Sequence, residues 1–194
     1  MARKKLNGAD YLLLLLYLDN KKPIRGAIRL MKMMFLFDKE ISAILANKGL
    51  DSENLPDFYA YDYGAFSKEV YEQIELFRSI EFISVKDIMS TEEMVAVDDF
   101  EDEPFIDELY QRDSQVRRFD GKHFEYRIAK NGVAFLEQRI IGEGLITTEH
   151  LQVLEQFKKK INSLSPKQIL RYTYTKYPEY TANSLIKSEV LGDE

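Results

Sequence analysis

Apolar residues recur at three- and four-residue steps between residues 24 and 46, and that spacing predicts one long helix over this range. Leu30, Met33 and Ile44 fall on other faces of the same helix and are apolar as well. A helix that is apolar nearly all round usually has neighbours on several sides. We therefore expect this helix to lie at the centre of the core.

Aromatic residues alternate with small or polar ones in the next segment, residues 57–67, where Tyr59, Tyr61 and Tyr63 lead to Gly64. Packing in a small core is the commoner explanation of such a cluster. Tyrosine is nevertheless enriched at protein interfaces, because it buries a large area at low entropy cost. A second cluster near the end of the chain consists of Tyr172, Tyr174, Tyr177 and Tyr180.

The helix expected after this segment spans Lys68–Ile80. Its apolar face consists of Val70, Ile74 and Phe77, and the hydroxyl of Ser67 is expected to cap its first turn.

The remaining pattern places a small pair of strands after the helices. The other elements expected before residue 141 are a helix over Tyr11–Leu18, capped by Asn7 or Asp10, strands over 82–86 and 123–128, and a helix over 133–140. This order favours a mainly α (α+β) fold, namely a helical domain of winged helix-turn-helix type with a small antiparallel β-wing. A long insert, residues 87–122, separates the two strands of the wing.

The chain after the linker at residues 142–144 is expected to be helical. The helix starts expected there are Thr147 or Thr148, Ser165 and Thr181. We therefore divide the chain into a winged-helix domain, residues 1–141, and a C-terminal helical extension, residues 145–194, that packs on it.

The insert is the clearest change in composition along the chain. Residues 92–108 include nine acidic and no basic side chains. Calcium loops need fixed ligand spacing around a central glycine, which this segment lacks. A solvated, self-repelling loop is the plainer interpretation, and an acidic contact surface is the functional one. We also expect a short helix over Phe105–Arg112. The residues of the acidic contact surface are Asp98, Asp99, Glu101, Asp102 and Glu103.

Composition narrows the class of protein. The chain has 194 residues, 45% of them hydrophobic, which is enough for one substantial core. It contains no cysteine, which excludes disulfide and thiolate chemistry, and we expect a cytoplasmic protein. The apolar run Leu12–Leu16 is far shorter than the roughly 20 residues of a membrane helix, so we expect no membrane association.

Signals for catalysis are missing from the sequence. It contains no glycine pattern that binds phosphate, and His123 and His150 show no metal-ligand spacing. Ser67 lacks the flanking glycines of a nucleophile elbow. We therefore expect no enzyme activity, no cofactor and no metal site.

DNA binding by the isolated chain is a weaker hypothesis. The net charge is −6, and the helix over residues 68–80 exposes more acidic than basic side chains. Duplex DNA is a dense row of phosphates and favours a basic recognition helix. Arg25, Arg29 and Lys32 are basic, but we expect their helix to be largely buried. A regulator would therefore need a homodimer whose combined surface is basic.

Two motifs of this chain resemble those of the Panacea (SocA-like antitoxin) and YwgA-like proteins. Residues 23–26 (Pro-Ile-Arg-Gly) and 29–36 (Arg-Leu-Met-Lys-Met-Met-Phe-Leu) resemble the opening of that family. Residues 61–67 (Tyr-Asp-Tyr-Gly-Ala-Phe-Ser), followed by Glu-Val-Tyr at 69–71, resemble its Tyr-Gly-Pro-Phe-Ser signature. The likeness covers residues 10–140, with the insert unmatched.

The resemblance implies a mostly helical domain that works by binding protein. In toxin–antitoxin pairs, such domains neutralise diverse toxins. Our leading hypothesis is therefore a non-enzymatic, antitoxin-like interaction module that binds and restrains a partner protein, such as a toxin or effector encoded nearby. The alternatives are a winged-helix transcription regulator that binds DNA as a dimer, and an accessory factor that uses the acidic insert. The residues expected to contact the partner are Tyr61, Tyr63, Gly64, Phe66, Ser67, Tyr71, Arg29 and Lys32.

Overall fold

The computed structural model describes residues 4–87 and 124–192. In chain order, the helices of these ranges are α1 (Gly8–Lys21), α2 (Ala27–Leu36), α3 (Ser42–Asn47), α4 (Lys68–Ser79), α5 (Lys130–Phe135), α6 (Thr148–Asn162), α7 (Pro166–Lys176) and α8 (Lys187–Leu191). The π-helical segments Phe37–Ile41 and Leu136–Ile141 extend α2 and α5, and Pro178–Thr181 forms a 3₁₀ turn after α7.

Short strands form small sheets between these helices. The strands are β1 (Lys4–Asn7), β2 (Ile24–Arg25), β3 (Leu50–Glu53), β4 (Tyr59–Tyr61), β5 (Gly64–Phe66), β6 (Ile83–Asp87) and β7 (Phe124–Ile128). β1 pairs in parallel with β3, and β4 forms an antiparallel hairpin with β5. β2 and β6 flank β7, and both pair with it in antiparallel orientation. The mainly helical α+β class is therefore confirmed.

The antiparallel strand pair expected after α4 is confirmed as β6 and β7. Its register places Val85 opposite Tyr126. Tyr126 also pairs with Ile24 of β2, which adds a third strand that the sequence pattern did not predict.

This third strand corrects the predicted start of the central helix. Ile24 and Arg25 are strand residues, so the prediction of a helix from Ile24 was wrong. Gly26 has a φ of 86° and separates β2 from α2, which begins at Ala27. The apolar periodicity at Ile24 reflects burial in the sheet and not a helical face.

α2 is the central helix of the core, as its apolar faces predict. Leu30, Met33 and Phe35 are at most 1% exposed. Elements on several sides contact it, including β5, α6 and α7. The π-helical segment Phe37–Ile41 then changes the phase of the apolar stripe. Ile44, in α3, is accordingly 42% exposed and does not belong to the core.

The end of α1 has an unusual backbone, which a lysine from α6 stabilises. Residues 19–21 all have positive φ, between 52° and 59°. Lys158 is fully buried, and its Nζ donates to the carbonyl oxygens of Leu18 at 2.7 Å and Lys22 at 2.6 Å. The carbonyl oxygen of Leu16, at 3.4 Å, accepts from the same nitrogen. Each of the three donors of a protonated lysine therefore has an acceptor.

Two of the three C-terminal helices begin where capping residues in the sequence predict. The side chains of Thr147 and Ser165 each accept a hydrogen bond from the backbone N–H three residues later, so both predicted caps are confirmed. The predicted last helix was wrong in position, because Thr181 ends the 3₁₀ turn and α8 begins at Lys187.

The C-terminal helices contact the earlier part of the chain closely. α6 packs on α1, and α7 packs on α2. The division into two domains near residues 142–144 stays a prediction. In the ranges 4–87 and 124–192, no helix combines the length and apolar character needed to cross a bilayer.

Replacement of Lys158 by methionine is expected to lower the free energy of unfolding by about 2–4 kcal/mol, because buried carbonyl groups lose their donors. Lys159→Met is the matched control. Its side chain is 55% exposed and pairs with Glu155 at the surface, so we expect a change of at most about 0.5 kcal/mol. Denaturant unfolding followed by circular dichroism measures both values. Equal effects of the two substitutions would contradict the capping function of Lys158.

Candidate functional site

The tight hairpin of β4 and β5 positions most of the predicted contact residues. The strands pair from Tyr59 opposite Phe66 to Tyr61 opposite Gly64, which leaves a two-residue turn. Gly64 has a φ of 81°, a left-handed conformation that favours glycine. A Cβ at this position would lie 2.7 Å from Cε1 of Tyr174, a residue of α7. The hairpin and α7 therefore approach as closely as a glycine allows.

A small cavity lies between the hairpin, α2 and α4. Its volume is about 30 Å³, which is room for about two water-sized groups. Six of the eight predicted contact residues line it, namely Lys32, Tyr61, Tyr63, Gly64, Phe66 and Tyr71. The other lining residues are Ala27, Ile28, Met31 and Ala65, which the sequence pattern did not single out for the site.

Lys32 supplies the charged group of this cavity. Its side chain is 3% exposed, and its Nζ donates to the carbonyl oxygens of Tyr63 at 2.7 Å and Ala65 at 2.6 Å. Burial lowers the pKa of Lys32 to about 7, because the charged form loses its hydration. Within the described part of the chain, no carboxylate pairs with Lys32 to offset this effect.

The two other predicted contact residues lie outside the lining. Ser67 precedes α4 as predicted, but its buried hydroxyl makes no hydrogen bond with any described residue, so the predicted side-chain cap was wrong. Arg29 Nη2 donates to the carbonyl oxygen of Leu164 at 2.6 Å, which joins α2 to the segment between α6 and α7.

Tyr63 faces the core and not the surface. It is 9% exposed and belongs to a buried cluster with Leu170, Tyr174 and Ile186. A tyrosine inside the two-residue turn has lost the strict alternation of the strands, so its orientation could not be read from the sequence.

Four rings of the hairpin and α4 form a continuous aromatic patch, which consists of Tyr59, Tyr61, Phe66 and Tyr71. The ring of Phe66 contacts each of the other three, with centroid separations of 4.9–5.5 Å. Tyr59 is 46% exposed, and the other three are half-buried. Tyr59 is not among the contact residues expected from the sequence. Its two-residue spacing from Tyr61 was the available signal, because such residues share one face of a strand.

Two of the C-terminal tyrosines belong to a structural network around Glu40. The hydroxyls of Tyr172 and Tyr177 donate to Glu40 Oε1 at 2.8 Å and 3.0 Å, and Lys176 Nζ lies 3.0 Å from the same oxygen. Burial and the nearby Glu40 carboxylate raise the pKa of Tyr177 to about 12. These groups join α7 to the π-helical segment after α2, and their polar atoms are already used.

The charged surface of α4 differs from that of a DNA-reading helix. Lys68 pairs with Glu72 at 2.9 Å, and Arg78 pairs with Glu75 at 3.7 Å. Arg25, Arg29 and Lys32 were expected to lie on one largely buried helix. This expectation was wrong for Arg25, whose side chain is 47% exposed and pairs with Glu125.

Several predicted features lie outside the described residues. They are the acidic contact surface (Asp98, Asp99, Glu101, Asp102 and Glu103), the helix over Phe105–Arg112, and His123. His150 is buried, and its Nε2 lies 3.0 Å from the carbonyl oxygen of Lys48, which is a structural position. Among residues 4–87 and 124–192, no three His, Asp or Glu side chains form a group that could hold a metal ion.

Comparison with known proteins identifies no counterpart of this site. No family model, no curated protein and no solved structure matches the chain. The resemblance to the Panacea and YwgA-like proteins therefore stays an expectation.

Gly64→Ala is expected to lower the free energy of unfolding by about 2–4 kcal/mol, because the new methyl group meets a left-handed backbone and the Tyr174 ring. Gly49→Ala is the control, since Gly49 has a φ of 89° but no atom within 4 Å of the place that the new methyl group would take. We expect it to cost about 1–2 kcal/mol, the backbone contribution alone. Chemical denaturation gives both values, and equal losses would exclude a close contact between Gly64 and Tyr174.

Lys32→Met is expected to reduce the rise of stability with pH between about pH 7 and pH 9; the part contributed by Lys158, whose pKa burial lowers to about 8, remains. In the wild type, the folded state releases the lysine proton near pH 7, whereas the unfolded chain holds it up to the ordinary pKa of 10.5. The unfolded state binds more protons in this window, so the free energy of unfolding rises with pH, by up to about 1.4 kcal/mol per unit.

Urea unfolding at several pH values measures this slope. Lys187→Met, at an exposed lysine of α8, is the control and should keep the wild-type slope. If Lys32→Met keeps the wild-type slope as well, Lys32 does not titrate in this range.

Proposed function

We propose that this protein is an antitoxin-like interaction module of the Panacea and YwgA-like type, and that it binds and restrains a partner protein through the aromatic patch. The observation that carries the proposal is the continuous contact among Tyr59, Tyr61, Phe66 and Tyr71, none of which is fully buried. Aromatic side chains dominate the energetics of many interfaces, because they bury a large area at a small entropy cost.

The rigidity of the hairpin supports this use of the patch. Lys32 holds β5 from one side through two backbone carbonyl groups. The backbone N–H of Leu185 donates to the carbonyl oxygen of Asp62 at 2.9 Å, which fixes the turn from the C-terminal segment. A preorganised surface loses less conformational entropy on binding than a flexible one, so more of the contact energy appears as affinity.

The strand order supports the winged-helix part of the proposal. β2 lies between α1 and α2 in sequence and joins β6 and β7, which follow α4. A winged-helix domain likewise has one strand before its helix-turn-helix and two after it, although here residues 48–67, with β3, β4 and β5, replace the short turn between the helices. We infer that β6 and β7 form the wing of such a domain, used here as a scaffold.

The regulator hypothesis has less support from α4. Its two exposed basic residues, Lys68 and Arg78, pair with acidic neighbours on the same helix. Phosphate contacts would have to compete with these pairs and with the exposed Glu69. The absence of cysteine supports a cytoplasmic location for the interaction.

An affinity pull-down from the native organism tests the proposal with three tagged proteins. The wild type should capture one stoichiometric protein that survives nuclease treatment. The double variant Tyr59→Ala/Tyr61→Ala should retain at least about ten-fold less of it, because each lost ring costs on the order of 1 kcal/mol or more. Leu185→Ala is the matched control, since Leu185 is 54% exposed and lies outside the patch.

The pull-down also separates the alternatives. Circular dichroism first establishes that all three proteins are folded. Equal loss of the partner in the double variant and in Leu185→Ala would show that the patch is not the contact surface. Recovery of nucleic acid, or of proteins that disappear after nuclease treatment, would replace the proposal with the regulator hypothesis.

A further inference from the structure

We propose that the cavity beside the aromatic patch receives the carboxylate of an acidic side chain, aspartate or glutamate, from the partner protein, and that Lys32 pairs with it. This inference rests on the proposed function, because it names the chemical group that the partner contributes. Three observations support it: a donor of the protonated amine that has no acceptor among the described residues, a buried cation that no described carboxylate offsets, and the size of the cavity.

The donor count at Lys32 is one acceptor short. A protonated lysine has three N–H donors, and the described residues supply two acceptors, the carbonyl oxygens of Tyr63 and Ala65. Lys158 is the internal comparison, because it is equally buried but has three carbonyl acceptors around its nitrogen. A lysine that only stabilises the hairpin would not need to line a cavity. Lys32 lines one, so its ammonium group can reach a bound ligand.

In its protonated form, which predominates below its pKa of about 7, Lys32 also carries a charge that no described group offsets. A buried cation is costly unless an opposite charge or enough hydrogen bonds offset its lost hydration. The other lining residues are aromatic, aliphatic or glycine, so within the described structure the cavity holds no anion for this ammonium. A carboxylate would supply the missing acceptor and the missing negative charge together.

The size of the cavity favours the carboxylate of a side chain over that of a chain terminus. Its volume of about 30 Å³ is comparable to two water-sized groups, which corresponds to the two oxygens of a carboxylate. A side-chain carboxylate reaches such a space on a narrow methylene stem. A C-terminal carboxylate carries an amide and a side chain on the adjacent carbon, and the aromatic walls leave little room for them.

The protonation state of Lys32 determines how the affinity for a carboxylate changes with pH. The ionisable groups around the cavity are the phenols of Tyr61, Tyr63 and Tyr71, with Tyr174 packed on Gly64 and Arg29 one turn earlier on α2. Phenols and guanidinium groups ordinarily keep one charge state between about pH 6 and pH 9. Because burial lowers the pKa of Lys32 to about 7, its ammonium form is lost across this window. Carboxylate affinity should therefore fall by at least about ten-fold from pH 6 to pH 9.

Acetate is the probe, because it reproduces the end of an aspartate side chain. The whole protein, labelled with ¹³C at its methionine methyl groups, is titrated with sodium acetate, with sodium chloride at equal ionic strength as reference. Met31 lines the cavity and reports on it, whereas Met33 and Met34 are buried outside the lining and serve as internal controls. Met31→Leu assigns the reporter signal. We expect saturation with a Kd on the order of 1–10 mM at pH 6.

Two comparisons on the wild type test the chemistry. Acetamide has the shape of acetate without its charge and should leave the Met31 signal unchanged at the same concentrations. At pH 9, acetate should bind at least ten-fold more weakly than at pH 6. Equal shifts with acetamide, equal affinity at both pH values, or no saturable shift of Met31 would each overturn the inference.

Substitutions give a second test. Lys32→Met should abolish the acetate response, and Lys187→Met, at an exposed lysine outside the cavity lining, should preserve it. If Lys32→Met does not fold, the acetamide and pH comparisons decide. N-acetylglycinate imitates a C-terminal carboxyl group, and tighter binding of it than of acetate would overturn the assignment to a side chain. A negative acetate result together with partner loss in Tyr59→Ala/Tyr61→Ala would remove this inference and leave the proposed function intact.

Discussion

Hydrogen bonds from one buried ammonium group connect the central helix to the candidate site. Lys32 Nζ lies 2.7 Å and 2.6 Å from the carbonyl oxygens on either side of Gly64, in the last part of the hairpin turn. Because α2 also contacts β5, α6 and α7, the position of the hairpin is fixed relative to the core as a whole. The hairpin that carries the aromatic patch is therefore held by a buried core helix and not by a surface loop.

The two buried lysines, Lys32 and Lys158, differ in how many hydrogen-bond acceptors surround their nitrogen atoms. Lys158 saturates its nitrogen with carbonyl oxygens at the irregular end of α1, so its burial is accounted for by structure alone. Lys32 makes fewer bonds, and it lines a cavity of about 30 Å³. Proteins commonly depart from full satisfaction of buried polar groups where a ligand completes the arrangement. The contrast between Lys32 and Lys158 is the strongest reason to connect the cavity with binding.

Local signals were sufficient to predict α4, the β6–β7 pair and the body of α2 from periodicity, and the caps at Thr147 and Ser165 from residue type, but not the start of α2. Long-range pairing was not predictable in this way: β2 joins β7 across about a hundred residues, and β1 pairs with β3 across the whole of α1 and α2. The same limit applies to the site, where the tyrosine alternation marked an aromatic cluster but predicted neither the β4–β5 hairpin nor the inward orientation of Tyr63. The buried hydroxyl of Ser67 likewise depends on surroundings that its neighbours in sequence do not specify.

Lys158, which donates hydrogen bonds to the carbonyl groups at the end of α1, has a consequence for the order of folding during protein synthesis. Ribosomes release the chain from its N-terminus, and segments begin to fold as they emerge. The carbonyl groups at the end of α1 receive their hydrogen bonds from Lys158, about 140 residues later. Until α6 has left the ribosome, these carbonyl groups lack their donor, and the face of α1 that α6 covers stays exposed. The nascent segment up to α1 is therefore expected to be a client for chaperones until α6 can pack on it.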